Sequence, residues 1–143
     1  YKRGPCNIWD IFMKDLKELI KLALDNKEKS YSPYSHFRVS AVVLTKEGEV
    51  FEGVNIENAS YSPTICAERS ALAAAISKGH RGFDTIIITG DSTDTYPCGV
   101  CRQFMAEFFD EDTKIVIANS LDDYKTYTLE DLLPHSFGKK DLQ

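Results

Sequence analysis

Thr85-Ile86-Ile87-Ile88-Thr89, followed further along by Lys114-Ile115-Val116-Ile117-Ala118, decides the fold. Both are short, almost purely apolar runs rich in β-branched residues, the pattern of strands buried on both faces. Between them, apolar residues recur at helical spacing from about Val100 to Phe109. A strand–helix–strand crossover of this kind lays parallel strands into one sheet. Upstream, Phe37-Arg38-Val39-Ser40-Ala41-Val42-Val43-Leu44 reads as a strand and Lys46-Glu47-Gly48-Glu49 as a hairpin turn. Val50-Phe51-Glu52-Gly53-Val54 is then the antiparallel return strand. Ala67 to Lys78 is rich in helix formers and stops at Gly79. An amphipathic first helix runs from about Ile8 to Leu24 on Ile8, Phe12, Leu16, Leu19, Ile20 and Ala23, and the polar stretch Asp25 to Ser35 follows it. The expected fold is α/β: a three-layer α/β/α sandwich with a mixed sheet of about five strands, one domain over residues 1–143. The polar tail after Pro134 is expected to be loosely ordered unless it packs on a neighbour.

Composition narrows the function classes. A chain of 143 residues can bury a core without disulfide staples, and 43% apolar with 27% charged residues is ordinary for a globular domain. No apolar run approaches the ~20 residues that span a bilayer, so no membrane partner is expected. A net charge of −5 disfavours nucleic acid, whose phosphates are held chiefly by clustered Lys and Arg, and favours a small uncharged ligand. The opening Tyr-Lys-Arg-Gly-Pro-Cys has no apolar signal core, and a cytoplasmic location is expected.

Cysteine placement carries the chemistry. Cys98 and Cys101 in Pro97-Cys98-Gly99-Val100-Cys101 have metal-ligand spacing, and Cys66 in Cys66-Ala67-Glu68-Arg69 precedes the Ala-rich helix. Both sites fall at expected helix starts, where backbone N–H groups and the helix dipole favour thiolates, the form that binds zinc. Three thiolates leave the fourth tetrahedral position for water, whose pKa zinc lowers toward ~7, so an open site of this kind implies hydrolysis. Glu68, not required as a ligand, is free to carry protons, and Arg69 can offset the site's negative charge. Other readings stand beside this one. The C-x-x-C pair alone could be a redox couple or half of a structural zinc site, and Cys6, otherwise an unpaired thiol, could close a four-cysteine site in a non-enzymatic module. His36, His80 and His135 have no spacing that pairs them as ligands.

Four ordered blocks narrow the choice: Ser32-Pro33-Tyr34-Ser35-His36-Phe37-Arg38-Val39, Gly53-Val54-Asn55-Ile56-Glu57-Asn58-Ala59-Ser60-Tyr61, Thr64-Ile65-Cys66-Ala67-Glu68-Arg69-Ser70-Ala71 and Pro97-Cys98-Gly99-Val100-Cys101-Arg102-Gln103. With them the chain resembles the small zinc-dependent cytidine deaminases of the homotetrameric type over nearly its whole length. The cysteine and glutamate elements also match the general zinc-deaminase signature. The resemblance implies one Zn2+ per subunit held by Cys66, Cys98 and Cys101, with Glu68 as the catalytic proton shuttle. It further implies that Asn55 and Glu57 bind the ribose 3′-hydroxyl, that Phe37 packs on the pyrimidine, that the Ala67 backbone engages the base and that Arg69 compensates the thiolates. Phe137, in Leu132-Leu133-Pro134-His135-Ser136-Phe137-Gly138, would reach a neighbour's active site, placing sites at the subunit interfaces of a homotetramer.

On residue type alone, Asn55 reads as a turn residue, Glu57 as a solvated charge, Phe37 and Phe137 as packing residues and Arg69 as a surface helix cation. The implied activity is hydrolytic deamination of cytidine and 2′-deoxycytidine, a step of pyrimidine salvage. The alternatives are deamination of another aminopyrimidine nucleoside such as blasticidin S, or of single-stranded nucleic acid, which the acidic balance disfavours. Tyr96, where the family commonly has Ser, the Ser62-Pro63 segment and Lys139-Lys140 depart from the family pattern.

Overall fold

The computed structural model describes residues 8–143, with side chains from Leu16 onward; Cys6 and the Ile8 and Phe12 side chains lie outside the described residues. Helix α1 (Ile8–Asn26) leads through a 3-10 turn and a loop into the hairpin of β1 (Val39–Thr45) and β2 (Val50–Val54). Then come α2 (Ala67–Ser77), β3 (Phe83–Gly90), α3 (Gly99–Phe108), β4 (Lys114–Ala118), β5 (Tyr124–Tyr127) and the short α4 (Leu129–Leu132). The five strands form one sheet in the order β2-β1-β3-β4-β5. β3 and β4 pair parallel and the other neighbours antiparallel, which is the mixed sheet expected from the crossover.

Strand alternation separates two cores. Ala41, Val43, Ile86, Ile88, Ile115 and Ile117 face α2 and α3, where they meet Ala71, Leu72, Ala75, Cys101 and Met105. Val42, Leu44, Ile87, Val116 and Ala118 face the other way, onto Leu19, Ile20 and Ala23 of α1. Burying one such Ile or Leu contributes about 1.5–3 kcal/mol, so these two layers dominate the stability over exposed ion pairs such as Lys17–Asp122.

The element boundaries differ from the sequence reading in small ways with local causes. β1 begins at Val39, two residues after Phe37: the Phe37 carbonyl is taken by the Asn55 side chain, and regular pairing starts where Val39 meets Gly90 of β3. Gly48, at φ +89°, closes the β1–β2 turn in a conformation that L side chains rarely adopt. β5 is the strand that the sequence reading did not locate: four residues, three of them exposed. The tail beyond Pro134 carries a 3-10 turn at Lys139–Asp141, capped by the Asp141 carboxylate accepting from the Gly138 N–H at 2.8 Å.

Two contacts set how α2 lies on the sheet. At its start, the helix backbone comes so close to β2 that a Cβ on Gly53 would sit 2.4 Å from the Ala71 nitrogen and 2.6 Å from the Ala67 oxygen. Beyond its end, Glu49 accepts from Lys78 Nζ at 2.6 Å and from His80 Nε2 at 2.6 Å, while His80 Nδ1 faces Glu47 at 3.1 Å. A carboxylate at each ring nitrogen favours the doubly protonated form of His80.

Gly53→Ala is expected to lower stability by about 1–3 kcal/mol, since the atoms it meets are backbone, with chemical denaturation as the readout. The Glu49 cluster gives a pH signature. Hydrogen bonds from Lys78 and His80 hold the Glu49 carboxyl down to about 2 from an ordinary 4.5, so its contribution is lost as pH falls through that range. Bonds to Glu49 and Glu47 raise His80 above its ordinary 6.5, so its contribution is full below 6.5 and lost as pH rises through the raised value. Thermal melts of Glu49→Gln should therefore fall furthest below wild type between about pH 4.5 and 6.5, and by less at pH 9.

Candidate metal centre and active site

Cys66 and Cys98 are the N-cap residues of α2 and α3, both with extended backbone, and Cys101 lies in the first turn of α3. The crossover that lays α3 beside α2 thus brings two helix starts together. The three sulfur atoms lie within 4.8 Å of one another, with Cys66 and Cys98 at 3.7 Å. Zn–S bonds of ~2.3 Å in tetrahedral array put sulfurs ~3.8 Å apart, so this cluster has the spacing and donor type of a zinc site. No other group of His, Cys, Asp or Glu among the described residues offers such a cluster.

The residues around the sulfurs are built into the same helices. Arg69, one turn beyond Cys66, places Nη2 at 3.5 Å from its sulfur. The neighbouring Cys101 thiol, with Arg69 and Cys98, holds the Cys66 thiol down to about 5, whereas hydrogen bonding to Cys66 and burial push Cys101 up. Glu68, in the first turn of α2, is only 3% exposed, and its Oε1 has no hydrogen-bond partner among the described residues. Burial, with the negative Cys66 beside it, pushes its carboxyl up to about 7. A buried carboxyl with a free oxygen beside a metal-binding cluster is poised to exchange a proton with a ligand. Ala67, between Cys66 and Glu68, is fully buried.

Asn55, Glu57 and Phe37 form a second group. Asn55 Oδ1 accepts from the Val39 N–H at 3.0 Å and from the Ser30 hydroxyl, and its Nδ2 donates to Phe37 O at 2.8 Å. Glu57 accepts from the N–H groups of Tyr34 and Ser35 at 3.0 and 3.1 Å and from the Ser35 hydroxyl, bonds that lower its pKa. Both side chains therefore brace the loop that ends at Phe37, a task invisible from residue type. A cavity of about 360 Å³ opens beside Glu57, walled also by Tyr34, Ser35, Asn58, Tyr61 and Thr64. Ile56 and Ile65 exchange backbone hydrogen bonds at 2.9 and 3.0 Å, which fastens this group to the residue just before Cys66.

Phe137 is 61% exposed, with its carbonyl held by Gln103 Nε2 at 2.9 Å. Sequence reasoning gave Arg102 no role, yet its Nε donates to Pro97 O at 2.8 Å and its Nη1 to Leu132 O at 2.6 Å, fixing the residue before Cys98. The signal available was its position one turn beyond Cys98.

Known proteins share this arrangement. The family described as "Cytidine and deoxycytidylate deaminase zinc-binding region" matches residues 13–118. The chain belongs to this family. A cytidine deaminase of Halalkalibacterium halodurans is 45% identical over 129 residues, 90% of this chain and 98% of that protein. A probable cytidine deaminase of Dictyostelium discoideum is 40% identical over 131 residues, 90% of this chain and 88% of that protein. The 1.6 Å crystal structure of cytidine deaminase from Burkholderia pseudomallei superposes with a TM-score of 0.79 at 41% identity, covering 84% of this chain and 97% of that one. Membership agrees with the zinc geometry and with the mixed five-stranded sheet.

Elemental analysis of the purified protein should find one zinc per chain. Cys101→Ser should lose it, and Cys6→Ser should retain it, because three sulfurs already satisfy the protein's share of an open site. Loss of metal in Cys6→Ser would instead mark a closed four-cysteine site.

Proposed function

We propose that the chain is a zinc-dependent hydrolase that converts cytidine and 2′-deoxycytidine to the uridine counterparts and ammonia, a pyrimidine-salvage reaction. The observation that carries this reading is Glu68: a buried carboxyl with an oxygen that has no partner among the described residues, two residues beyond one cysteine of the cluster and packed beside another. The names of the relatives support the substrate class. Zinc held by Cys66, Cys98 and Cys101 would supply Lewis acidity that activates water at neutral pH.

The chain's own residues would do the rest. Glu68 takes a proton from the attacking water and delivers it to N3 of the pyrimidine as oxygen adds at C4. It would then take the proton of the hydroxyl now on C4 and pass it to the exocyclic amine, which leaves as ammonia as the C4 carbonyl forms, so atoms and charge balance. The Ala67 backbone would engage the base, Phe37 would stack on it, and Arg69 would offset the sulfur charge. Asn55 and Glu57 would present an amide and a carboxylate to the ribose 3′-hydroxyl, one able to donate and both able to accept. Their bonds to the 30–39 segment hold them in place for that task.

Residues 1–143 act as one domain in this reading. Exposed Tyr31, Tyr34, Ile56, Tyr61 and Phe137 give it an apolar surface suited to burial in a homotetramer, where Phe137 would complete a neighbour's site. Among the described residues no helix is long and apolar enough to cross a membrane. The unpaired thiols fit a reducing, cytoplasmic compartment.

Glu68→Gln should retain zinc and melt near wild type, while turnover, followed by the ultraviolet absorbance of cytidine, falls about 10²–10⁴-fold. Near-normal turnover would remove Glu68 from the proton path. A substrate panel including blasticidin S reads the nucleoside preference in the same assay.

A further inference from the structure

Of the three cysteine ligands, Cys98 is the exposed one, and its position depends on the loop of residues 91–97. Cys101 is buried inside α3, and Cys66 is half-buried and reached by Arg69. The loop before Cys98 folds back tightly over the end of β3: a Cβ on Gly90 would lie 2.5 Å from the Thr95 hydroxyl. It is then fastened to the β4–β5 hairpin. The Asp94 N–H donates to Asn119 Oδ1 at 2.8 Å, Asn119 Nδ2 donates back to Asp94 Oδ1 at 2.8 Å, and Lys125 Nζ donates to Asp94 Oδ2 at 2.6 Å. Asp94 sits at φ +54°, a conformation these partners hold in place. Two residues on, the Tyr96 hydroxyl meets the Tyr127 hydroxyl at 2.7 Å, with the rings edge to face at 5.6 Å.

We propose that the Tyr96–Tyr127 hydroxyl pair is a positioning clamp that fixes the path of the chain into Cys98 and thereby sets how tightly this protein retains zinc. The proposal rests on the three-cysteine zinc site. Tyr127 packs against the core shared by α2, α3 and the sheet, so the hydroxyl it offers stands on a firm base. Tyr96 is separated from Cys98 only by Pro97, which is buried, has a ring-restricted φ and has its carbonyl held by Arg102. A shift at Tyr96 therefore has little slack in which to dissipate before it reaches the sulfur. A metal site tolerates only ~0.2 Å of error in its bonds, so loss of a restraint this near a ligand should speed metal release.

The test uses zinc-loaded wild type, Tyr96→Phe, Tyr127→Phe and the double variant. Zinc release into excess chromophoric chelator is timed, and the absorption of the Co2+-substituted forms is recorded. Each single variant should release zinc about three- to tenfold faster, the range set by one net hydrogen bond. The double variant should be no faster than either single, because both remove the same bond. The cobalt–thiolate bands should shift in all three, while Tyr124→Phe, an exposed phenol on the same strand, should match wild type. Wild-type release rates with unchanged cobalt spectra would overturn the clamp, even if the variants melt earlier, and so would single effects that merely add. Wild type without zinc, or Cys98→Ser holding zinc as wild type does, would instead overturn the three-cysteine site and the clamp with it.

Discussion

The crowding of three sulfurs at the meeting of two helix starts is the constraint on which the site is built. At 3.7 Å, two thiolates repel by about 4 kcal/mol at an effective dielectric of 20, so three of them cannot share this volume unaided. The fold answers with the N-terminal ends of α2 and α3, whose N–H groups carry partial positive charge, and with the Arg69 guanidinium. A divalent cation supplies what remains. The hydrogen bond from Cys101, with Arg69 and Cys98, favours the Cys66 thiolate, while that same bond and burial push the Cys101 thiol up.

The sheet makes that meeting possible. The pairing of β3 with β4 puts α3 on the same face as α2, and α1 covers the opposite face with a separate apolar layer. Gly53 lets the first turn of α2 lie directly on β2, so the strand that leads to Asn55 and Glu57 and the helix that begins at Cys66 share one contact. The Ile56–Ile65 bridge adds a second link. The Asn55–Glu57 group and the cysteine cluster are thus joined at one corner of the fold.

Much of this was legible in the sequence. The Ile-rich runs announced β3 and β4, and the cysteine spacing announced the metal centre. Arg69 was read as a cation able to offset the sulfur charge, and its Nη2 lies 3.5 Å from the Cys66 sulfur. The fifth strand was not: Tyr124-Lys125-Thr126-Tyr127 is too short and too exposed for a two-residue period to register, and its place comes from pairing with β4. The bracing roles of Asn55 and Glu57 were equally hidden, since they depend on where residues 30–39 run in space. Nor does a glycine in a strand reveal that a helix backbone lies 2.4 Å from where its methyl would be.

Neither α2 nor α3 has the oxygen side chain that ordinarily caps a helix start; a sulfur stands in that place and makes no capping hydrogen bond. Each helix has therefore given up a local stop against fraying in favour of a shared one. A bound cation would tie those two starts to each other, so that capture of the ion and the docking of one helix beside the other reinforce one another.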